Sequence, residues 1–505
     1  MAWTRAALAL VVAGAVGIAL LSGGSSADPR TPAALPGLPP PFLGTAVVGN
    51  GGPTAAVDAY GDIVDMRVPG PAGRALIDNP ADRQAAGTVD SRAVIVPRVS
   101  IDGGPGRPLW SADSVMQSYL PGTNAVRTVA RFGTTRVAIV YAADEGALAC
   151  LTSAGGRGQV SFAGPGAPLA RLRCDDGEAR AGVAAAERSD RRWLGRGRPL
   201  GPGAPAWARA MYERSLLTLR ALTDRRTGAV AAGARDGWAY VWPRDAGTAA
   251  LAFAAAGYRS EARRVAHFLL GLDLDTAARF YGDGSPVPGR GPQGDAAGWV
   301  AAAARAAGRP APGAVLPWRN RPDYQEGAPG TFLANAIAAT WADGPEASAM
   351  QTTQAHRPGV AGAFETSRGL VRQAGDPGSG LDSAAAWAVR PFSLPALYPA
   401  ARRTLLDLAG GQTRFGITPG EGWPGVDPWS APTAWSAWSL AALGDRHAAL
   451  RLLGDLRRAA TPAGDLPERV DARSGIPRST TPLAWPHAFA ILALRQLWPD
   501  HRGRG

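Results

Sequence analysis

The 505-residue sequence predicts an antiparallel β-sandwich followed by a closed array of helical hairpins. Two patterns predict it. From Thr45 to about Gly164, short runs alternate apolar and polar residues and are separated by glycine-bearing turns, the period-2 signature of half-buried strands. From Pro205 onward, apolar residues recur at helical spacing in segments of similar length, divided by Gly- and Pro-rich loops.

The β pattern is clearest in Ala125–Phe132 and Arg136–Tyr141, a hairpin around Gly133, and in Ala55–Asp58 and Ile63–Val68 on either side of Tyr60-Gly61-Asp62. Residues 176–204 are dense in Arg, Asp, Gly and Pro and read as a partly helical connector. Helical spacing follows in Ala206–Ala221, Ala246–Ala255, Glu261–Leu270, Ala296–Ala307 and Thr331–Trp341. It continues in Val360–Arg372, Leu381–Val389, Tyr398–Leu408, Ala431–Leu443, His447–Ala459 and Ala488–Leu497. No sharp repeat is present, which excludes a solenoid of near-identical units. The boundaries are therefore a β-domain at 44–175, the connector, and a helical domain at 205–500.

At the N-terminus, Arg5 precedes the apolar run Ala6–Leu21, and Ser25-Ser26-Ala27 follows. A basic start, a short apolar stretch and small residues read as an export signal over 1–27, with an uncleaved anchor as the alternative. Residues 28–43 are a Pro-rich linker. The expectation is an exported protein, secreted or envelope-associated, with a membrane tether only through this segment. Oligomeric state is left open. The net charge of +12 rests entirely on arginine, since the sequence has no lysine, and it lacks the basic blocks of a nucleic-acid tail. Cys150 and Cys174 are the only cysteines, a candidate disulfide in an exported chain or else two buried thiols.

The chemistry gathers around Asp236–Thr248, which reads DGWAYVWPRDAGT. Pro243 suits the first position of a helix and Asp245 complements the helix dipole, so Arg244 and Asp245 should sit where a loop becomes a helix. An arginine donor fork, an aspartate acceptor and the rings of Trp238, Tyr240 and Trp242 suit a hydroxyl-rich ligand such as a sugar; the alternative is an aromatic core patch with a helix-starting ion pair. Two later loops carry carboxylates, Pro322–Gly327 with Asp323 and Glu326, and Gly464–Val470 with Asp465 and Glu468. Glycosidic cleavage needs one carboxylic acid for the leaving oxygen and one carboxylate for water or attack. HExxH, P-loop and nucleophile-elbow motifs are absent, and the histidines are scattered, so no metal or organic cofactor is expected. His487 should pack or make one hydrogen bond at a helix start.

These motifs together resemble glycoside hydrolase family 15, the glucoamylases and related exo-α-glucosidases. Gly49-Asn50-Gly51, the Ala56–Val57 strand and the Gly61–Val64 turn resemble the start of the β-sandwich of bacterial members. Trp242-Pro243-Arg244-Asp245 resembles the family's sugar-binding Arg-Asp motif, and Gly289–Asp295 its Gly-Arg-Pro-Gln loop, which nominates Gln293 for substrate binding. Asp323–Glu326 is similar to Asp-Leu-Trp-Glu, which implies Glu326 as general acid and Asp323 as a substrate-binding residue. Arg414 to Trp429 resembles an Arg-aromatic stretch whose arginine contacts substrate. Leu466–Asp471, with Gly475 and Pro482–Trp485, resembles the loop of the general base, which implies Glu468.

The resemblance implies an (α/α)6 barrel of six helical hairpins and an exported, inverting hydrolase of α-glucosidic bonds at chain ends, acting on an oligo- or polysaccharide. Trp238, Trp242, Trp429 and Trp485 are candidate stacking platforms or core residues. The departures are Gln325 in place of a tryptophan, Gly327 in place of a second acidic residue, and Pro288 in place of another tryptophan. They leave open a trehalase, a hydrolase of another envelope glycan, or a non-catalytic glycan-binding protein with a decayed site.

Overall fold

The computed structural model describes residues 45–78, 94–235, 237–310, 318–342, 362–411 and 413–500. The expected signal and linker lie outside them, as does Asp236. Among the described residues no helix is long and apolar enough to cross a membrane.

Period-2 alternation builds the first unit. Strands β1 (Ala46–Gly49), β2 (Thr54–Val57), β3 (Ile63–Val68) and β4 (Arg74–Asp78) form one antiparallel meander. The strands β5 (Val96–Ile101), β6 (Arg107–Pro108), β7 (Ser114–Tyr119), β8 (Val126–Phe132), β9 (Thr135–Asp144), β10 (Ala147–Ala154), β11 (Gly158–Ala163) and β12 (Leu172–Cys174) form two further sheets, in the orders β12-β10-β9-β8-β7 and β11-β5-β6. Strand β8 shows why: Val126, Thr128, Ala130 and Phe132 are buried while Arg127 and Arg131 face out. Tyr60, Met66, Val99, Ile139 and Tyr141 join that core. One pairing is parallel: β12 lies beside β10 with Cys150 opposite Cys174, and the two sulfurs are bonded. The open choice between disulfide and free thiols resolves to a disulfide.

The connector is mostly helix α1 (Gly177–Leu194), started by Asp176, whose carboxylate accepts from the Ala179 N–H. The helical unit then contains α2 (Ala206–Leu222), α3 (Pro243–Ala255), α4 (Arg259–Leu270), α5 (Ala296–Ala306), α6 (Leu333–Ala339), a 3₁₀ segment (Ser383–Ala388), α7 (Tyr398–Gly410), α8 (Ser430–Ala442), α9 (Arg446–Ala459) and α10 (Ala484–Leu497). Contacts run from α3 to α5, α6, the 3₁₀ segment, α8, α10 and back to α3, closing a ring of six. Ring members are buried nearly all round and rich in alanine, whereas α4, α7 and α9 bury one face and stand outside. This is the (α/α)6 barrel with its β-sandwich.

Two helical expectations are corrected. Val360–Arg372 is helical only at 362–364 within its described part: the chain then leaves the helix and enters β13 (Val371–Gln373), paired with β14 (Asp376–Leu381). Gly375, at φ 70°, makes the tight reversal between the strands that a helix would not allow. Consequently the expected helix Leu381–Val389 shrinks to the 3₁₀ segment, which Asp382 caps through the Ala384 N–H. Helix α10 starts at Ala484, four residues before the expected Ala488; Pro486 is tolerated because the first turn leaves its N–H positions unpaired anyway.

Small residues let the ring close. A Cβ on Gly298 would lie 2.2 Å from the Ala338 carbonyl oxygen, and one on Gly247 2.7 Å from that of Trp299. Helix propensity favours alanine over glycine by about 1 kcal/mol, but overpacking against backbone costs about 1–3 kcal/mol. Gly298→Ala should therefore be destabilising, read as a lower urea midpoint; a higher midpoint would mean α5 and α6 do not touch there.

Candidate active site

The site lies at one mouth of the barrel, over an aromatic plug. Trp387, Trp435, Trp485 and Tyr324 meet edge-to-face or tilted, with ring centroids 4.8–6.4 Å apart. Above them opens a cavity of about 280 Å³, lined by Trp238, Trp242, Arg244, Asp245, Glu326, Glu468 and Trp485, with Arg290, Gln325, Trp423, Trp429, Arg469 and Ser479 among the remaining walls. Loops distant in sequence thus converge on one space.

Trp242 has extended backbone (φ −92°, ψ 130°) and precedes Pro243, so α3 begins where the sequence places it. Arg244 and Asp245 occupy its first turn, both buried. The Arg244 Nη1 donates to Gln293 Oε1 at 2.7 Å and to Asp295 Oδ2 at 3.2 Å, while its Cζ lies 4.5 Å from the Trp485 ring centre. Asp245 stands 3.6 Å from Arg244. Burial pushes the Asp245 carboxyl up to about 7; Arg244 opposes this, while Asp295 and Glu468 add to it.

Gln293 lies behind the pocket wall and joins its two halves: its amide nitrogen approaches Glu326 Oε1 at 3.4 Å and donates to the Asp323 carbonyl at 3.2 Å. Asp323 is fully buried and serves the loop. Its carboxylate accepts from Arg372 at 2.9 and 3.0 Å and from the Gln325 N–H at 3.0 Å, pinning the turn that ends at Glu326. Glu326 itself has φ 57°, uncommon for a residue with a Cβ and worth noting in a pocket. Its side chain keeps 33% of its accessible surface and pairs with Arg290. Tyr324 is turned the other way, donating to Asp382 at 2.8 Å.

Glu468 is held from both sides through its backbone: its N–H donates to Thr480 and its carbonyl accepts from the Ser430 N–H, at the start of α8. The carboxylate receives Ser479 Oγ–H. Burial raises its pKa, and the Ser479 hydroxyl, Arg469, the Trp238 N–H and Arg290 work against that. The same loop is locked from the far end. Asp465, fully buried, accepts from Tyr119 of the sandwich at 2.7 Å and Thr218 at 3.0 Å, with Arg214 at 3.9 Å. His487 accepts the Leu466 N–H on Nε2 and faces Ser215 Oγ at 2.9 Å with Nδ1. It has two partners, one more than expected, and burial keeps it neutral by lowering its pKa well below the usual value.

Three nominated residues do not line the cavity: Gln293 and Asp323 stand behind its wall, and Arg414 lies farther out. Arg414 is exposed and stacks on Phe415, its Cζ 5.0 Å from the ring, while its carbonyl accepts from Arg458. The loop before Ile417 carries it along the outer flank, and the arginines that line the cavity are Arg244, Arg290 and Arg469. Arg290 sits inside the Gly289–Asp295 motif and Arg469 inside Leu466–Asp471, so the sequence marks their loops; nothing in the sequence marks Ser479 as reaching the cavity. Trp429, nominated with the other tryptophans, does line it, edge-on to Trp423 at 5.0 Å. Several side-chain atoms here are hidden from solvent and without a partner: the indole nitrogens of Trp242, Trp423, Trp429 and Trp485, Arg244 Nε and Gln325 Oε1. Among the described residues no three His, Cys, Asp or Glu side chains gather as a metal set.

The raised Asp245 carboxyl has a consequence for stability. A group whose folded pKa exceeds its unfolded value, about 3.9, contributes stability that is complete below that value and lost as pH rises through about 7. Asp382 is raised to about 7 for the same first cause, burial. Asp245→Asn should therefore flatten the stability–pH curve between about pH 4 and 7, by an amount on the order of a few kcal/mol across that window. Urea melts at several pH values check this.

A sequence profile described as Glycosyl hydrolases family 15 matches residues 206–275, the stretch from α2 through α4 that holds Arg244 and Asp245. No curated protein matches the chain. Among solved structures, a bacterial glucoamylase complexed with acarbose superposes with a TM-score of 0.64 at 13% identity, over 92% of this chain and 96% of that one. A wild-type glycosidase is 22% identical over 58% of this chain and 99% of its own, with a TM-score of 0.48. The glucoamylase from Saccharomycopsis fibuligera is 14% identical over 58% and 94%, with a TM-score of 0.46. The bacterial glucoamylase carries the fold comparison, since it spans the sandwich and the barrel together. The family profile thus falls on the arginine–aspartate helix, and over nine-tenths of its length the chain shares the fold of the bacterial glucoamylase, a β-sandwich joined to an (α/α)6 barrel.

Proposed function

We propose that this protein is an exported, inverting glycoside hydrolase that cleaves α-glucosidic bonds from chain ends, with Glu326 as general acid and Glu468 as general base. One observation carries the reading: the two glutamates, 142 positions apart in sequence numbering, line the same cavity as Arg244 and Asp245. In this scheme Arg244, Asp245 and the tryptophan walls hold the terminal sugar. Glu468 takes a proton from water on one face while Glu326 gives one to the leaving oxygen. Hydrogen bonds from Ser479 and Trp238 stabilise the ionised Glu468 that this role requires. Arg290 stabilises ionised Glu326, so the pair has to part before the acid can donate its proton.

The purified protein, without residues 1–27, should release glucose from at least one of soluble starch, maltose, isomaltose and trehalose. Proton NMR of the first product should show the β-anomer. A first product in the α-configuration would overturn the inverting mechanism. Tight glycan binding with no turnover would favour the glycan-binding alternative.

A further inference from the structure

A second cavity, of about 180 Å³, opens at the seam between sandwich and barrel and shares no wall with the glycan pocket. Four guanidiniums line it, from four stretches of chain: Arg196 just after α1, Arg220 near the end of α2, Arg225 in the turn beyond, and Arg264 on α4. Asn50, just after β1, contributes the sandwich side.

The acids in reach do not match them. Arg220 is committed to Asp190 at 2.6 Å and Ser189 at 2.8 Å. Glu261 is the carboxylate in the wall, and its oxygens already accept from Trp193 at 3.0 Å and Ser260 at 2.8 Å. Arg196 and Arg264 each stand 3.7 Å from it, in ion-pair range but beyond a well-formed hydrogen bond. Arg264 Nε is hidden from solvent with no partner. Arg225 makes no side-chain hydrogen bond or ion pair among the described residues. Four like charges therefore crowd a small space with several of their donors unspent. Guanidinium forks match the geometry of a tetrahedral oxyanion and engage it by charge-assisted bonds.

We propose that this seam cavity is a binding site for phosphate, free or as the terminal group of a monoester. Bound there, the anion would take donors from the connector, α2, the turn after it and α4, and so tie the sandwich to the first hairpin of the barrel. The proposal does not rest on the glycosidase reading.

Isothermal titration with inorganic phosphate against sodium chloride at matched ionic strength tests it, with glucose 6-phosphate and glucose as further arms. The expected result is one site for phosphate. Its affinity should fall about tenfold or more in Arg225→Gln, and further in Arg225→Gln/Arg264→Gln, as loss of a charge-assisted bond implies. Tighter binding of glucose 6-phosphate than of phosphate would identify a monoester as the ligand; the reverse order would identify the free anion. Phosphate heats no greater than chloride, or affinity unchanged in both variants, would overturn the proposal. Arg225 is exposed and makes no side-chain bond, so its variant is expected to fold, and a phosphate-free melt confirms that.

Discussion

Glu468→Gln is expected to lower kcat by about 10²–10⁴, the usual contribution of a positioned general base, while changing KM little. Glutamine keeps the size and the hydrogen bond from Ser479 but cannot take a proton from water. Glu326→Gln should match it in size and differ in one respect. A substrate whose leaving group needs no protonation, such as an aryl glycoside with an acidic phenol, should recover much of the lost rate in Glu326→Gln and none of it in Glu468→Gln. The asymmetry is the informative part, because a merely structural role for either glutamate would affect both substrates alike. If neither variant loses more than about tenfold, the assignment of acid and base fails.

The second large effect is expected at the seam. Arg214→Met should cost about 3–5 kcal/mol, because it strips a fully buried carboxylate of its cation. Arg214 also donates to the Thr123 carbonyl and to Asn124, and its Cζ lies 3.6 Å from the Tyr119 ring centre, so sandwich groups lose partners at the same moment. Asp465→Asn in the same background should restore part of the loss by removing the stranded charge. Equilibrium urea unfolding followed by tryptophan fluorescence checks both. A cost under about 1 kcal/mol for the single variant would mean that Asp465 is held by its neutral donors alone.

Much of this site is legible in the sequence. Pro243 set the start of α3 and thereby the place of Arg244 and Asp245, because a helix's first turn is a local matter of φ angles and free N–H groups. Glu326 and Glu468 are singled out through the family resemblance of their loops, and both line the one cavity. Long side chains were less readable. Arg414 and Arg290 both sit in recognisable motifs, yet one lies on the outer flank and the other reaches Glu326, since the direction of an arginine depends on the path of its loop. The β13–β14 hairpin was misread for a related reason. A short apolar stretch fits helix and strand alike, and Gly375 decided between them. In the sequence Asp465 is only a neighbour of Glu468; its partners Tyr119 and Thr218 come from 346 and 247 positions away, a distance at which local pattern says nothing.

The grip of Tyr119 on Asp465, with Thr45 donating to the Thr481 carbonyl, makes the sandwich a wall against which the Glu468 loop is braced. Barrel and sandwich are for that reason poor candidates for shuffling as separate parts. A chimera that imports a foreign β-domain would have to bring along matching residues between 461 and 483, or leave Glu468 on a strap with one buckle undone.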